Sequence, residues 1–239
     1  MYMTFAERFH LNFIKDARWH YLTDGLVVTL EITFFAVLLG IAIGIIIAGI
    51  RSTHDKLFDD TKSKMGRFLL KFFNLLANIY LTVIRGTPVV VQLMIAYYII
   101  FATSNNKVLV AVLAFGINSG AYVAEIVRSG IMSVEAGQTE AGRSLGFNYV
   151  QTMFYIVLPQ AFKNILPALA NEFIVLLKET SVCGYVALQD LTRGGDIIRG
   201  RTYDAFFPLL AIAGIYLIMV VVFTKLVDIL ERRLRKSER

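Results

Sequence analysis

Cysteine occurs once, at Cys183, so no intramolecular disulfide can form and no thiolate cluster exists to hold a metal. That residue reads as a small buried hydrophobe. The three histidines, His10, His20 and His54, are scattered, and no histidine–cysteine cluster has metal-ligand spacing. No G-x-x-x-x-G-K-[ST] stretch is present, which excludes a P-loop, and no arrangement of serine, histidine and acid is legible. The chain therefore carries no visible catalytic apparatus, and no cofactor is implied. Internal repeats and low-complexity linkers are missing as well. Charge is scarce, at 18% of residues against about a quarter in a soluble domain. The N-terminal MYMTFAERFHLNFIKDARWHYL is charged throughout and lacks an uninterrupted apolar core, so no secretory signal peptide is expected.

What is abundant is apolar surface. Hydrophobic residues make up 56% of 239, and the mean hydropathy is +0.63. One core of this size cannot bury them all, which makes a bilayer the expected solvent. The net charge of +6 would suggest nucleic acid in a soluble protein; in a membrane protein it is expected of basic cytoplasmic loops. A spanning helix needs about 20 mostly apolar residues. Five stretches qualify: 26–50, 69–101 with a charged interruption RGTP at 85–88, 107–131, 165–186 and 206–230. The expectation is an all-α integral membrane protein of about five transmembrane helices, forming one transmembrane domain over 1–239. Ahead of the first span, Phe5, Phe9, Phe13 and Trp19 recur among Arg8, Lys15 and Arg18, as in an amphipathic lead-in over 1–22; an irregular segment fits nearly as well.

Five spans put the two termini on opposite sides. One set of loops holds Arg51, Lys56, Lys62, Lys64, Arg67, Arg143, Lys163 and the tail ERRLRKSER; the other holds the N-terminus, Asn105–Lys107, and Arg193, Arg199 and Arg201. The first set is richer in Lys and Arg and is assigned to the cytoplasm, leaving the N-terminus outside. The loop at 52–66 is read as solvated. The outer stretch 187–205, with Asp190, Arg193, Asp196 and Arg199, is a mixed-charge loop and the expected face for an extracytoplasmic partner.

Between the third and fourth spans stands QTEAGRSLG, residues 138–146, followed by IVLP at 156–159. Glu140 to Leu145 contains good helix formers, and Gly146 supplies the left-handed position that ends a helix. Asn148-x-x-Gln151 reads as an N-cap with its reciprocal partner. Tyr149, Met153 and Ile156 then share one side of a second helix, which Pro159 is expected to interrupt. Such a helix–glycine–helix elbow suits insertion into another protein's groove or resting on a membrane surface.

Glu140, Ala141, Gly142, Gly146, Ile156, Leu158 and Pro159 lie on the pattern E-A-A-x-x-x-G-x(9)-I-x-L-P, six of them matching and Gly142 standing where the pattern has its second alanine. This resembles the ATPase-docking loop of the membrane subunits of bacterial ABC importers. IRGTPVVVQL (84–93), AYVAEIVRSGIMSVEAGQTEAG (121–142) and LLKETS (176–181) look like the polar amino acid branch, which carries histidine, arginine, glutamine, glutamate, cystine or opines; the resemblance covers about 20–231. It implies a type I ABC importer permease fold in the bacterial plasma (inner) membrane. It also implies a second permease subunit, identical or not, an ABC ATPase docked at a cytoplasmic elbow over 132–164, and a separate extracytoplasmic substrate-binding protein. The glycine at 142 is expected to cost about 1 kcal/mol of helix propensity and to loosen the elbow helix.

Polar residues inside spans are expensive and have a partner or a task. Thr87-Pro88 breaks the second span and Gln92 follows one turn later; Asn118, Tyr122 and Glu125 share a face of the third; Asn164, Asn171 and Lys178 repeat every seven residues on the fourth and its lead-in, with Ser181 just beyond. Either these line a translocation path or they tie helices together. A Glu125–Lys178 ion pair is one expected outcome, and Glu31, Arg85 and Lys225 are placed near the interfaces. The functional reading is the permease half of an ABC amino acid importer, not itself an enzyme; the alternatives are a stand-alone secondary transporter or exporter and a non-transporting scaffold.

Overall fold

The computed structural model describes residues 3–58 and 61–236. Asp59 and Asp60 of the 52–66 loop, Met1 and Tyr2 of the lead-in and residues 237–239 of the basic tail lie outside the described residues. Among the described residues every regular element is helical: α1 Phe5–Phe9, α2 His20–Leu57, α3 Lys64–Arg85, α4 Val89–Ile95, α5 Lys107–Met132, α6 Ala136–Ser144, α7 Tyr149–Thr152, α8 Leu158–Glu179, α9 Leu191–Thr202 and α10 Phe206–Lys236. Five helical stretches are long and apolar enough to cross a membrane: His20–Leu57, Lys64–Arg85, Lys107–Met132, Tyr149–Val186 and Phe206–Leu234.

The number of spans is as expected, and the bounds are corrected in three places. Helix α2 has 38 residues, about 57 Å at 1.5 Å per residue, so Ser52 to Leu57 of the supposed solvated loop are helix. Ser52 is buried and Asp55 pairs with Arg128 of α5 at 3.1 Å. The second span ends at Arg85 rather than running to 101. Pro88 has no N–H to give and disfavours a helical Thr87, so the chain breaks over 86–88; Thr87 Oγ1 donates to the Val83 carbonyl at 2.8 Å and the Gly86 N–H to that of Thr82 at 3.0 Å. Helix α4 then restarts and passes into a π-helical turn, Ala96–Ile100. The third correction concerns Pro159, which does not interrupt the fourth span. A π-helical turn over Met153–Val157 leads directly into α8 in one stretch, Tyr149–Val186, and this π-bulge accommodates the missing N–H of Pro159; Pro167 sits inside α8.

Two compact units divide the chain. One comprises 1–37, 88–116 and 173–225. Its buried cluster is Phe13, Leu22, Leu191, Ile198, Phe207 and Ile212, with Tyr21, Leu26 and Tyr216 against it. The stretch 187–205, expected as a loop, carries helix α9. Asp190 is its N-cap, accepting from the N–H groups of Thr192 and Arg193 at 3.0 and 3.1 Å. The Gly194-Gly195 pair, a loop signal on its face, is there for close packing: a Cβ on Gly194 would lie 2.1 Å from the Tyr21 carbonyl oxygen, and one on Gly195 2.2 Å from Ile212 Cδ1. The lead-in begins as a short helix with a capping box from Thr4 and Glu7 and continues in a π-helical turn over His10–Ile14. Arg8 grips Asp204 at 2.7 and 2.9 Å, and the Phe5 and Phe13 rings lie 4.8 and 6.4 Å from Phe207.

The other unit comprises 38–87, 117–172 and 226–239. Ala48, Val123, Val127, Ile131, Val157, Ala161 and Ile165 form its core, flanked by Ile41, Met153 and Leu158. Small residues set the helix spacing here: a Cβ on Gly44 would fall 2.4 Å from Val123 Cγ1, and one on Gly130 2.2 Å from Ile165 Cγ1. Close backbone approach of this kind is how helices associate where lipid removes the hydrophobic drive.

Candidate functional site

The elbow has the closure expected of it. Helix α6 ends in a Schellman motif: Gly146 stands at φ +88°, its N–H donates to the Arg143 carbonyl at 3.0 Å, and the Phe147 N–H donates to that of Gly142 at 3.1 Å. Asn148 and Gln151 form a reciprocal capping box, each side chain accepting from the other's backbone N–H at 2.9 Å. Two rigid helix ends thus meet across four residues.

Gly142 does the opposite of what helix propensity suggests. It is buried, and a Cβ there would lie 2.7 Å from Ile156 Cδ1 and 3.0 Å from Thr152 Cγ2. The missing methyl lets α6 lie directly on the α7 segment, so the departure from the E-A-A pattern tightens the elbow. Ile156 is half-buried against Gly142, Leu158 packs on the unit core, and Val157 is buried. Glu140, Ala141 and Pro159 are exposed. So are Leu145 (75%), Phe154 (64%) and Tyr155 (72%), with Val150 and Phe147 beside them in the sequence. The elbow thus has an anchored underside and exposed apolar side chains, and those apolar residues were not singled out by the motif.

The intramembrane polar residues separate into groups. In the second unit a groove of about 420 Å³ is lined by Tyr122, Glu125, Ser129, Ser133, Asn164 and Glu172, among others. Asn164 Nδ2 donates to Ser133 Oγ at 2.9 Å, which ties the third span to the fourth. Glu125 is paired with Arg51 at 2.6 Å and with Arg85 at 3.8 Å, so its cations come from α2 and α3 and not from Lys178. Arg85, expected at an interface, also has its guanidinium 5.6 Å over the Tyr122 ring. Asn118 is buried on α5. Asn171 is exposed, donating to the Pro167 carbonyl at 3.2 Å, and lines another cavity with Lys163 and Glu231. Within the first unit, Lys178 is exposed and Gln92 half-buried, while Ser181 borders a cavity with Tyr185, Arg193 and Asp196. Thr87 stays at the helix break.

Sequence reasoning missed Glu172. It is buried, and its hydrogen-bond partner is Ser119 Oγ at 2.9 Å. The signal was available: a carboxylate in an apolar run, one position after Asn171, is a functional candidate by default.

On the α9 side, Asp196 is bonded by both Arg193 and Arg199, chiefly Arg199, which holds its carboxyl below the usual range; Arg8 does the same for Asp204. Burial pushes Asp190 the other way, up to about 6, against the backbone N–H groups of Arg193 and Thr192. A carboxyl raised in the folded state from 3.8 makes folding take up protons between about pH 4 and 6, so its contribution to stability is complete below about pH 4 and is lost as pH rises through 6. Asp196 and Asp204 act only below that window. The unfolding midpoint in lipid nanodiscs is therefore expected to fall between about pH 4 and 6 through Asp190, and Asp190→Asn, which keeps a capping oxygen, is expected to flatten that slope. An unchanged slope in the variant would remove Asp190 from this role.

Five spanning helices, a capped elbow and a polar groove define an integral membrane permease. The chain belongs to the family of binding-protein-dependent transport system inner membrane components, whose sequence profile matches residues 63–236. It is a multi-pass permease subunit of an ABC importer, in the type I permease fold. It is 34% identical over 221 residues to the arginine transport system permease protein ArtQ of Bacillus subtilis (strain 168), covering 91% of this chain and 94% of that one. To the glutamine transport system permease protein GlnP of Escherichia coli (strain K12) it is 37% identical over 166 residues, 68% and 76% of the two chains. Its structure is similar to the crystal structure of an amino acid ABC transporter with histidines, with a TM-score of 0.81, 41% identity and coverage of 98% of this chain and 100% of that one.

Proposed function

We propose that this subunit imports polar amino acids, moved by a separate ATPase that grips the elbow 132–164 from the cytoplasm. The carrying observation is the elbow's construction: α6 and α7 closed onto each other by a Schellman turn, a capping box and Gly142, with Leu145, Phe154 and Tyr155 left outside. Transmitting a rigid-body movement requires such stiffness, since a pliant loop would absorb it. Glu140, Ala141, Gly146 and Pro159 belong to the contact face or its turn. ATP is hydrolysed on the partner, consistent with a sequence that has no P-loop. A binding protein delivers the cargo outside, and a second permease subunit completes the path. Arginine and glutamine systems among the relatives, together with Glu172 and the Glu125 network beside Tyr122 and Asn164, favour a cargo bearing an ammonium group and a carboxylate. In this reading Asn118, Asn171, Lys178, Ser181, Thr87 and Gln92 lie along or beside the path.

The test is reconstitution. Proteoliposomes holding the permease are expected to accumulate labelled arginine, histidine or glutamine only when ATPase, ATP and binding protein are all supplied. Uptake driven by an ion gradient without ATP would favour the stand-alone transporter instead.

Orientation is tested by labelling. Lys62 and Gly200 are exposed, a Cβ on Gly200 meets nothing within 4 Å, and the native Cys183 is buried. Gly200→Cys is expected to react with an impermeant maleimide in intact cells, and Lys62→Cys only after the membrane is opened. The reverse pattern would put the elbow on the side without ATP.

A further inference from the structure

Four non-glycine residues among those described have a left-handed backbone: Asp16, Ala17, Ala187 and Tyr203. Aspartate tolerates that conformation and alanine is small, but a bulky side chain there is an outlier held against its steric preference. Tyr203, at φ 58° and ψ 18°, is also 95% exposed, more than any other large apolar or aromatic side chain among the described residues. Its ring contributes no packing to the fold that bears the strain.

The chain on both sides of it is clamped. The Tyr203 N–H donates to the Arg199 carbonyl at 2.9 Å, closing α9. Thr202 Oγ1 donates to Asn12 Oδ1 at 2.8 Å, and Asn12 is fully buried. Asp204 accepts from Arg8 at 2.7 and 2.9 Å, from Asn12 at 3.0 Å and from the Phe206 N–H at 3.1 Å. The N-terminal segment therefore holds residues 202 and 204 while the one between them projects. Cations near it in sequence are fixed too: Arg199 is bound to Asp196, and Arg201 lies 4.9 Å over the Tyr21 ring. A strained residue persists where its surroundings over-determine it, and such residues gather at binding sites. A rigid aromatic beside arginines is the composition of an interface hot spot.

We propose that Tyr203 is the anchor on which the extracytoplasmic binding protein of this transport system seats, its ring entering an apolar socket rimmed by acidic residues that match Arg199 and Arg201. This rests on the importer reading and the orientation given above. A lipid contact would need an apolar ring near the interface and gains nothing from a clamp on either side; preorganisation is what raises affinity for a structured partner.

The experiment uses the full permease with its ATPase in nanodiscs, titrated with the purified binding protein of its own system, and reads the half-maximal concentration for ATPase stimulation. Tyr203→Ala and Tyr203→Gly are each expected to raise it at least tenfold, and Tyr203→Phe by less than threefold. Glycine relieves the backbone strain, so the Tyr203→Gly unfolding midpoint is expected at or above that of the parent, which separates lost docking from lost folding. An unchanged half-maximal concentration in Tyr203→Gly overturns the anchor. So does a benzophenone-bearing residue at 203 that labels lipid and not the binding protein. If the parent is not stimulated at all, the importer reading fails first.

Discussion

Gly142→Leu is expected to leave the permease inserted and folded through its spans while reducing ATP-driven transport more than tenfold. The new side chain starts 2.7 Å from Ile156 Cδ1 and 3.0 Å from Thr152 Cγ2. Overpacking of this kind costs about 1–3 kcal/mol, and here the strain is relieved by parting α6 from α7. Parting them undoes the geometry that presents Leu145, Phe147 and Phe154. Gly142→Ala is the control: its single methyl presses on the movable end of Ile156, and the added helix propensity of about 1 kcal/mol offsets the contact, so transport within twofold of the parent is expected. The measurements are co-purification with the ATPase from detergent and uptake in proteoliposomes. Full transport by Gly142→Leu would falsify the elbow as the moving grip. By comparison Gly146→Leu meets open space and bears only the left-handed penalty of about 1–2 kcal/mol, so its defect is expected to be the milder of the two.

The second large effect is expected at Glu125. Its carboxylate serves Arg51 at 2.6 Å, the Arg51 and Glu125 side chains being half-buried, and the more exposed Arg85 at 3.8 Å. Removing one partner from a fully buried pair costs about 3–5 kcal/mol; this pair is part-buried, so a loss of about 1–3 kcal/mol is expected, and the exposed Arg85 adds little. Glu125→Ala is thus expected to lower the unfolding midpoint in nanodiscs by roughly 5 °C. The double variant Arg51→Gln, Glu125→Gln is expected to recover most of that loss, since no unpaired charge remains, and the shortfall in additivity measures the pair. Equal midpoints for Glu125→Ala and the parent would mean that water or lipid headgroups already screen the arginine. Lys178→Met is expected to leave this stability unchanged, because Lys178 takes no part in the network.

Composition alone determined the solvent of this protein. Excess apolar residues gathered into stretches long enough to cross a bilayer leave no other way to bury them, and the five spans are where those stretches lie. Local backbone chemistry was equally legible: Gly146 ends α6, and Asn148 with Gln151 starts α7, since caps depend on residues within four positions of each other. Long-range pairing was not. Lys178 was the partner expected for Glu125, and only packing selected Arg51 and Arg85. Helix propensity made Gly142 a weakness and Gly194-Gly195 a loop; the neighbours that each glycine admits come from distant segments, Thr152 and Ile156 in one case and Tyr21 and Ile212 in the other. Pro159 was read as a break because its missing N–H is a local fact, whereas the π-helical turn before it, which absorbs that loss, forms along a helix already held by Val157 in the core. Tyr203 carries no signal in sequence at all. Its conformation is imposed by Arg8, Asn12 and Asp204, residues some 190 positions apart that only the tertiary fold brings into contact.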